Sequence, residues 1–548
     1  MLKHKRRFLG AGFRRLFPKR QDIAPRVGPY PIILAMIFLL SGCAKVGPDF
    51  VPPKALVSPN WLEAGEDRVK TGPVNYRNWW RTFNDPVLDR LIDRAYRENL
   101  SLKIAGVRVL EARAQLGVFV GELYPQTQQV FGSLDRDRLS QGATSSAFAS
   151  SLTRYWQAEM GVQASWEIDF WGKFRRAVES ANASWLASIA DYGSALVSLT
   201  ADVAASYILI RTLEKRIGIA RQNAAIQKES LKIAEARFRY GSTSQLDVNQ
   251  AQAVLNNTLA SIPALEAQLR QAKDALSLLL GSPPSHLADL LKGPQEIPVS
   301  PALVVVGIPA ELIRRRSDIR SAELQAEAQC ALIGVAKAAL YPAFSLSGTF
   351  GFLSTDIGQS KLSSIASWGN RTYQIGPSLQ WNVLNYGQIT NNVRVQDARF
   401  EQLLITYQNT VLKAQQEVED ALVSFLRAQD QAEFLARAAA AAKGALDLAV
   451  LQYRQGTRDF TTVLTAQQAL LSEQDSLAST LGNIASNLVG VYRALGGGWE
   501  ISQGKELVPP EVREAMAKRT NWGKLLSPAA YNPPPSDIPQ TLIRVPDW

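Results

Sequence analysis

Two stretches of this chain repeat one pattern at a constant offset of 215 residues. Trp166-Glu167-Ile168-Asp169-Phe170-Trp171-Gly172-Lys173 aligns with Trp381-Asn382-Val383-Leu384-Asn385-Tyr386-Gly387-Gln388. Downstream, Phe238-Arg239-Tyr240-Gly241-Ser242 aligns with Tyr453-Arg454-Gln455-Gly456-Thr457, and Leu280-Gly281 with Leu495-Gly496. A register kept over so long a span without a slip implies a duplicated domain and a quasi-symmetric body. The period is too long for a solenoid.

Within each copy the hydrophobic period changes twice. Four segments alternate strictly: around Gln126 to Arg138, Trp156 to Ile168, Phe344 to Phe352 and Tyr373 to Val383. Apolar residues on one face and Gln, Ser, Thr or Glu on the other, over about ten residues, is the pattern of a transmembrane β-strand. The linking segments Leu139–Thr153 and Ser354–Asn370 are rich in Ser, Gly and Gln, as exposed loops are. A soluble sheet over a core is the plainer alternative, but the export signal described below argues against it. Four strands leave two edges, and an open edge is not tolerated in hydrocarbon. Single barrels need about eight strands, so three chains supplying twelve are expected.

After the second strand of each copy a seven-residue apolar ladder begins. It runs from Ile189 through Leu196, Val203, Ile210 and Ile217 to Phe238, and again from Leu404 through Val411, Val418 and Phe425 to Tyr453. Return ladders follow, Val248 to Leu276 and Val463 to Val491. Sustained heptads predict coiled-coil packing, and about 65 residues at 1.5 Å each give helices near 100 Å. Pro263 is expected to interrupt and kink one return helix. Single shorter helices are expected from Leu88 to Leu123 and from Ala310 to Leu340, each ended by Leu-Tyr-Pro.

The chain carries a formal charge of +11, but residues 1–42 hold nine Lys/Arg against Asp22 alone, leaving about +3 elsewhere. No basic field for nucleic acid survives. That basic region precedes an apolar run, Tyr30 to Leu40, too short to span a bilayer as a helix. With Leu40-Ser41-Gly42-Cys43 after it, the whole reads as a signal whose Cys43 is lipidated. The basic part is long enough to fit a start codon downstream of Met1. Ala44, by resemblance to lipoprotein sorting rules, favours the outer membrane. Cys330, the other cysteine, sits in an Ala-rich helical pattern, so no disulfide is expected. The expected organisation is a signal peptide (1–42), a lipid-anchored segment (43–83), a first repeat (84–281), a Pro-rich linker (282–308), a second repeat (309–498) and an irregular tail (499–548).

The pattern resembles the TolC-type outer-membrane efflux channels, specifically their NodT-type lipoprotein branch, over essentially the whole mature chain. Carrying the resemblance are Cys43-Ala44-Lys45-Val46-Gly47-Pro48-Asp49-Phe50, Trp79-Trp80-Arg81-Thr82-Phe83-Asn84-Asp85-Pro86, Arg315-Arg316-Ser317-Asp318-Ile319-Arg320 and Tyr492 through Trp499. It implies a mixed α and β fold: a trimer with a twelve-stranded barrel, four strands per chain, above a long coiled-coil α-helical tunnel crossing the periplasm. It also implies a periplasmic adaptor and an inner-membrane pump, often of the resistance–nodulation–division class, as partners.

The reversals at Gly241-Ser242 and Gly456-Thr457 are the expected inner tips, where an adaptor docks. Related channels close just past these turns with carboxylates. Asp247 holds such a position in the first copy; in the second, Thr462 and Thr465 stand where Asp is common, with Arg454, Arg458 and Asp459 nearer the turn. A ring of three Asp247 would favour cations, and Arg454 and Arg458 would pair with acids on neighbouring helices. An enzyme is disfavoured: the mature chain has one histidine, His286, and no phosphate loop, metal set or nucleophile elbow, so neither catalytic residues nor a cofactor are expected. Two further readings stay open, an exit duct for secreted proteins and a lipid-anchored coiled-coil scaffold without a pore.

Overall fold

The computed structural model describes residues 45–72, 76–138, 154–284, 287–357 and 361–527. The signal region with Cys43, the loop Leu139–Thr153, His286 and the end of the tail lie outside them. In chain order the elements are β1 (Val69–Thr71), α1 (Pro86–Glu98), α2 (Leu100–Gly121), β2 (Thr127–Asp137), β3 (Tyr155–Ile168), α3 (Lys173–Arg239) and α4 (Gln245–Leu279). There follow β4 (Val304–Val306), α5 (Pro309–Arg315), α6 (Ser317–Ala338), β5 (Ala343–Thr355), β6 (Arg371–Gln380), α7 (Gln388–Arg454), α8 (Phe460–Ala494) and α9 (Pro510–Arg519).

The duplication is visible in the lengths. α3 and α7 each have 67 residues, and their return helices α4 and α8 each have 35. At 1.5 Å per residue the long pair reach about 100 Å. The heptad ladder explains their packing: Leu196, Val203, Ile210 and Ile217 on α3, and Val411, Val418 and Phe425 on α7, are all buried. The helix α4 runs unbroken through Pro263, so the expected interruption does not occur.

Strands β2, β3, β5 and β6 form one antiparallel sheet in that order. Register decides its two faces. Val130 pairs with Val162, Val162 with Phe350 and Phe350 with Tyr373. One residue along, Gln129 pairs with Gln163, Gln163 with Thr349 and Thr349 with Gln374. One face is thus apolar across all four strands and the other polar. On the apolar face Val130, Tyr373 and Ile375 are more than 70% exposed within one chain, a cost in water that lipid removes. β6 ends at Gln380, short of the expected Val383, because Trp381 turns its indole N–H to Leu340 O (3.1 Å). In the first repeat Trp166 makes the matching bond to Leu123 O (3.2 Å). Both repeats therefore pin a strand end to the last carbonyls of the preceding helix.

Each of the two shorter helical stretches is broken, contrary to expectation. At Asn99 the side chain accepts from Leu102 N (2.8 Å) and donates to Leu279 O (2.9 Å), which makes a helix cap of the break. At Arg316 the backbone is extended (ψ 123°) and the guanidinium donates to Ala494 O (2.8 Å). A short apolar-rich stretch cannot show such breaks, since the periodicity resumes in phase on both sides.

The lipid-anchored segment and the Pro-rich linker share a short ladder, and the tail, expected to be irregular, is partly ordered. Val69–Thr71 pairs in parallel with Val304–Val306, too short a ladder to announce itself by alternation. The tail contains α9 and buries Leu507 and Val508. The main core gathers Trp79, Trp80, Phe83, Leu88, Leu91, Tyr207 and Phe425, drawn from the N-terminal segment, α1, α3 and α7. Cys330 is 1% exposed, a small packed side chain as expected.

Candidate periplasmic gate

Each coiled coil reverses in a few residues at its tip. Gly241 and Gly456 have φ of 71° and 75°, the left-handed region open to glycine. Ser242 N donates to Arg237 O (2.8 Å) and Thr457 N to Gln452 O (3.0 Å), which satisfies carbonyls at the ends of α3 and α7. The tips carry their own small core of Ala234, Ala251, Leu446, Ala449, Tyr453, Phe460, Val463, Leu464 and Leu470, drawn from both repeats. It is separate from the main core.

At the centre lies Tyr453, 3% exposed, its ring 4.9 Å from that of Phe460. The guanidinium of Arg237, from the other repeat, sits 4.6 Å over the Tyr453 ring and donates to Tyr453 O. Burial pushes the Tyr453 phenol up from its ordinary value, and the Asp247 carboxylate adds to that shift. Asp247 also accepts from the Thr243 hydroxyl. Arg237, Tyr453, Thr243 and Asp247 thus join the two tips of one chain.

The other expected residues lie around this cluster. Arg454, Arg458, Asp459, Thr462 and Thr465 are exposed. Thr462 Oγ1 donates to Asp459 Oδ1 (2.5 Å) and holds that carboxyl below the usual range, while Thr465 bonds within its own helix to Thr461 O (2.9 Å). Among the described residues neither Arg454 nor Arg458 forms an intrachain ion pair. Sequence reasoning missed Arg237 as a tip residue. Its signal was an asymmetry: at the repeat offset Arg237 faces Gln452, a charge present in one copy only.

Above the tips the two repeats are joined by polar rungs between α3 and α8. Arg216 grips Asp475 with two bonds (2.8 and 2.9 Å), Asn223 Nδ2 donates to Gln474 Oε1 (2.8 Å) and Gln467 Nε2 to Ser230 Oγ (2.7 Å). Gln227, between them, is 2% exposed and its amide has no partner.

The family described as "Outer membrane efflux protein" matches residues 91–282 and 308–497, two blocks that follow the duplication. The chain belongs to the outer membrane efflux protein family. It is 31% identical over 492 residues to "Nodulation protein T" of Rhizobium leguminosarum bv. viciae, covering 89% of this chain and 97% of the relative. "Probable outer membrane lipoprotein SilC" of Salmonella typhimurium is 27% identical over 85% of this chain and 98% of its own. Among solved structures, the outer-membrane channel OprN superposes with a TM-score of 0.76 at 32% identity, over 83% of this chain and 99% of OprN. The chain is therefore a TolC-type, NodT-like channel protein of the outer membrane. Its four-stranded sheet and long helices are the barrel and tunnel parts of that fold, and it serves in efflux.

Proposed function

We propose that three copies close one twelve-stranded barrel over a continuous helical tunnel. Through it, small molecules delivered by an inner-membrane pump, of the resistance–nodulation–division class, and a periplasmic adaptor leave the cell. The observation that carries this reading is the sheet. Its one continuous apolar face suits lipid, while β2 and β6 each keep an edge unpaired among the described residues of the chain. In hydrocarbon those edges demand partners, and identical neighbours supply them. A pore-free scaffold gives no use for such a sheet, and no catalytic or cofactor role is assigned.

Lipid on Cys43 anchors the mature chain, in keeping with the lipoprotein relative. The boundaries at 42, 83, 281, 308 and 498 are retained as the working division of the chain. At the inner end Gly241, Ser242, Gly456 and Thr457 present the adaptor with the two tips. The gate is held within each chain by the Arg237–Tyr453 contact beside Asp247. It is held between chains by Arg454, Arg458 and Asp459, with Thr462 and Thr465 lining the constriction. Three Asp247 carboxylates ring the entrance and select cations.

Planar-bilayer conductance tests this. Arg237→Ala, Asp247→Ala and Arg458→Ala each raise single-channel conductance several-fold, and they increase antibiotic entrance in cells. Unchanged conductance in a variant removes that residue from the gate.

A further inference from the structure

The first described residues of the chain are seated in a built cleft between α3 and α6. Arg176, in the first turn of α3 with its side chain 2% exposed, supplies most of the grip. Its Nε donates to Val46 O (3.2 Å), Nη2 to Gly47 O (3.2 Å) and Asp49 Oδ1 (2.8 Å), and Nη1 to Glu179 (2.8 Å). Lys45 reaches Glu179 (3.3 Å) and Asp49 (3.5 Å), and Val46 N donates to Trp171 O (3.0 Å) at the end of the sheet.

The fit is close enough to need two glycines. Gly47 takes φ +96°, and a Cβ there would stand 2.4 Å from Gly334 Cα. A Cβ on Gly334 would stand 2.8 Å from both Val46 O and Arg176 Cγ. Under the segment lies Cys330, its Sγ 3.7 Å from Pro48 O.

Beyond the cleft the chain follows α7. Phe50 meets Phe400 edge-on (6.4 Å), Ser58 N donates to Gln415 (2.9 Å), Leu62 N to Glu419 (2.9 Å), and Arg68 pairs with Asp430 (2.8 Å). Residues 400 to 430 of one helix span about 45 Å. The path ends in the β1–β4 ladder, inside the main core.

We propose that residues 45–50 are a latch whose seating completes the hydrogen bonding of Arg176 and locks the β3–α3 junction of the first repeat against helix α6 of the second. Through it the N-terminal anchor holds the barrel by a fixed strut rather than a slack tether. Both sides are touched directly: Gly172, at the β3–α3 junction, packs on Lys45, and Gly334, on the helix α6 that leads into β5, packs on Val46 and Gly47. Unseated, Arg176 would keep Glu179 alone among these partners. This extends the lipid-anchor reading of Cys43, two residues upstream of Lys45, but its test does not depend on that reading.

Cys330 is the reporter. It is covered by the latch, and burial pushes its thiol up, so it reacts slowly while the latch is seated. Full-length protein extracted from the outer membrane is treated with a maleimide, and labelling of the Cys330 and Cys43 peptides is followed separately by mass spectrometry. Gly334→Ala, which the seated segment cannot accommodate, is expected to speed Cys330 labelling at least tenfold. Asp49→Ala, at a solvent-exposed carboxylate, speeds it several-fold. Gly218→Ala, where an added Cβ meets nothing within 4 Å, leaves it unchanged. If Gly334→Ala yields no folded protein, Asp49→Ala decides alone. Cys330 staying as protected in both variants as in the wild type overturns the latch, as does equal acceleration in Gly218→Ala. A labelled Cys43 would sink the lipid reading and leave the latch standing.

Discussion

Gln227 and Asp430 are two polar side chains whose surroundings give opposite expectations. The Gln227 amide is buried beside a groove of about 430 Å³ and has no hydrogen-bond partner among the described residues. A dry, unpaired amide costs about 1–3 kcal/mol. Gln227→Leu, which removes it at similar volume, is therefore expected to raise the thermal midpoint of the assembled protein; a lower midpoint would show that the amide is satisfied in the assembly.

Asp430 accepts from Arg68 and Arg427, which hold its carboxyl below the usual range, with Glu66 the other acid beside both arginines. A depressed carboxylate contributes stability above its unfolded value, and that contribution is lost as pH falls through the folded value. The pair is exposed, so the effect is small. The midpoint difference between wild type and Asp430→Asn should stay constant from about pH 8 to pH 5 and vanish in acid below the ordinary aspartate range. A difference that disappears already near neutrality would point to another group. At this scale the sequence was legible only in part. Tyr453 was visible as a ladder residue, yet its role at the tip depends on Arg237 reaching across from the other repeat. No local pattern encodes a contact between residues so far apart in the chain.

Among the elements, the long helices and the strands were readable because period and length agreed over many residues. The heptads predict Val203, Ile210, Val411 and Val418 in the core, where all four are buried, and alternation predicts Val162 and Phe350 on one face of the sheet, where they pair. The breaks at Asn99 and Arg316 were not readable, because each is set by a distant partner, Leu279 O in one repeat and Ala494 O in the other. Position 281 shows how tight that contact is, since a Cβ there would lie 2.2 Å from Glu98 O. Asn99→Ala loses the cap and the cross-helix bond and should cost about 1–2 kcal/mol, seen as a lower midpoint in chemical denaturation. Gly281→Ala forces the same two helices apart as well as straining its left-handed backbone (φ 68°), and should cost more than Asn99→Ala. An indifferent Gly281→Ala would contradict the packing described at this joint.

For the whole molecule, duplication gives the economy of the design. One unit of strand pair, long helix, tip and return helix is used twice, and the differences between copies fall where the halves meet each other: Arg237 against Tyr453 at the tips, and Arg216 against Asp475 along the seam. The first described segment, residues 45–68, lies ahead of the first repeat and runs along α7 from the sheet towards the core. One chain supplies only four strands, and everything proposed about conduction rests on how many chains complete the barrel. The most direct measurement is the molar mass of the protein extracted in mild detergent, with the bound detergent subtracted. Three mature chains per particle are expected. A monodisperse single chain that keeps its sheet would contradict this, for then β2 and β6 meet no neighbour and no barrel closes.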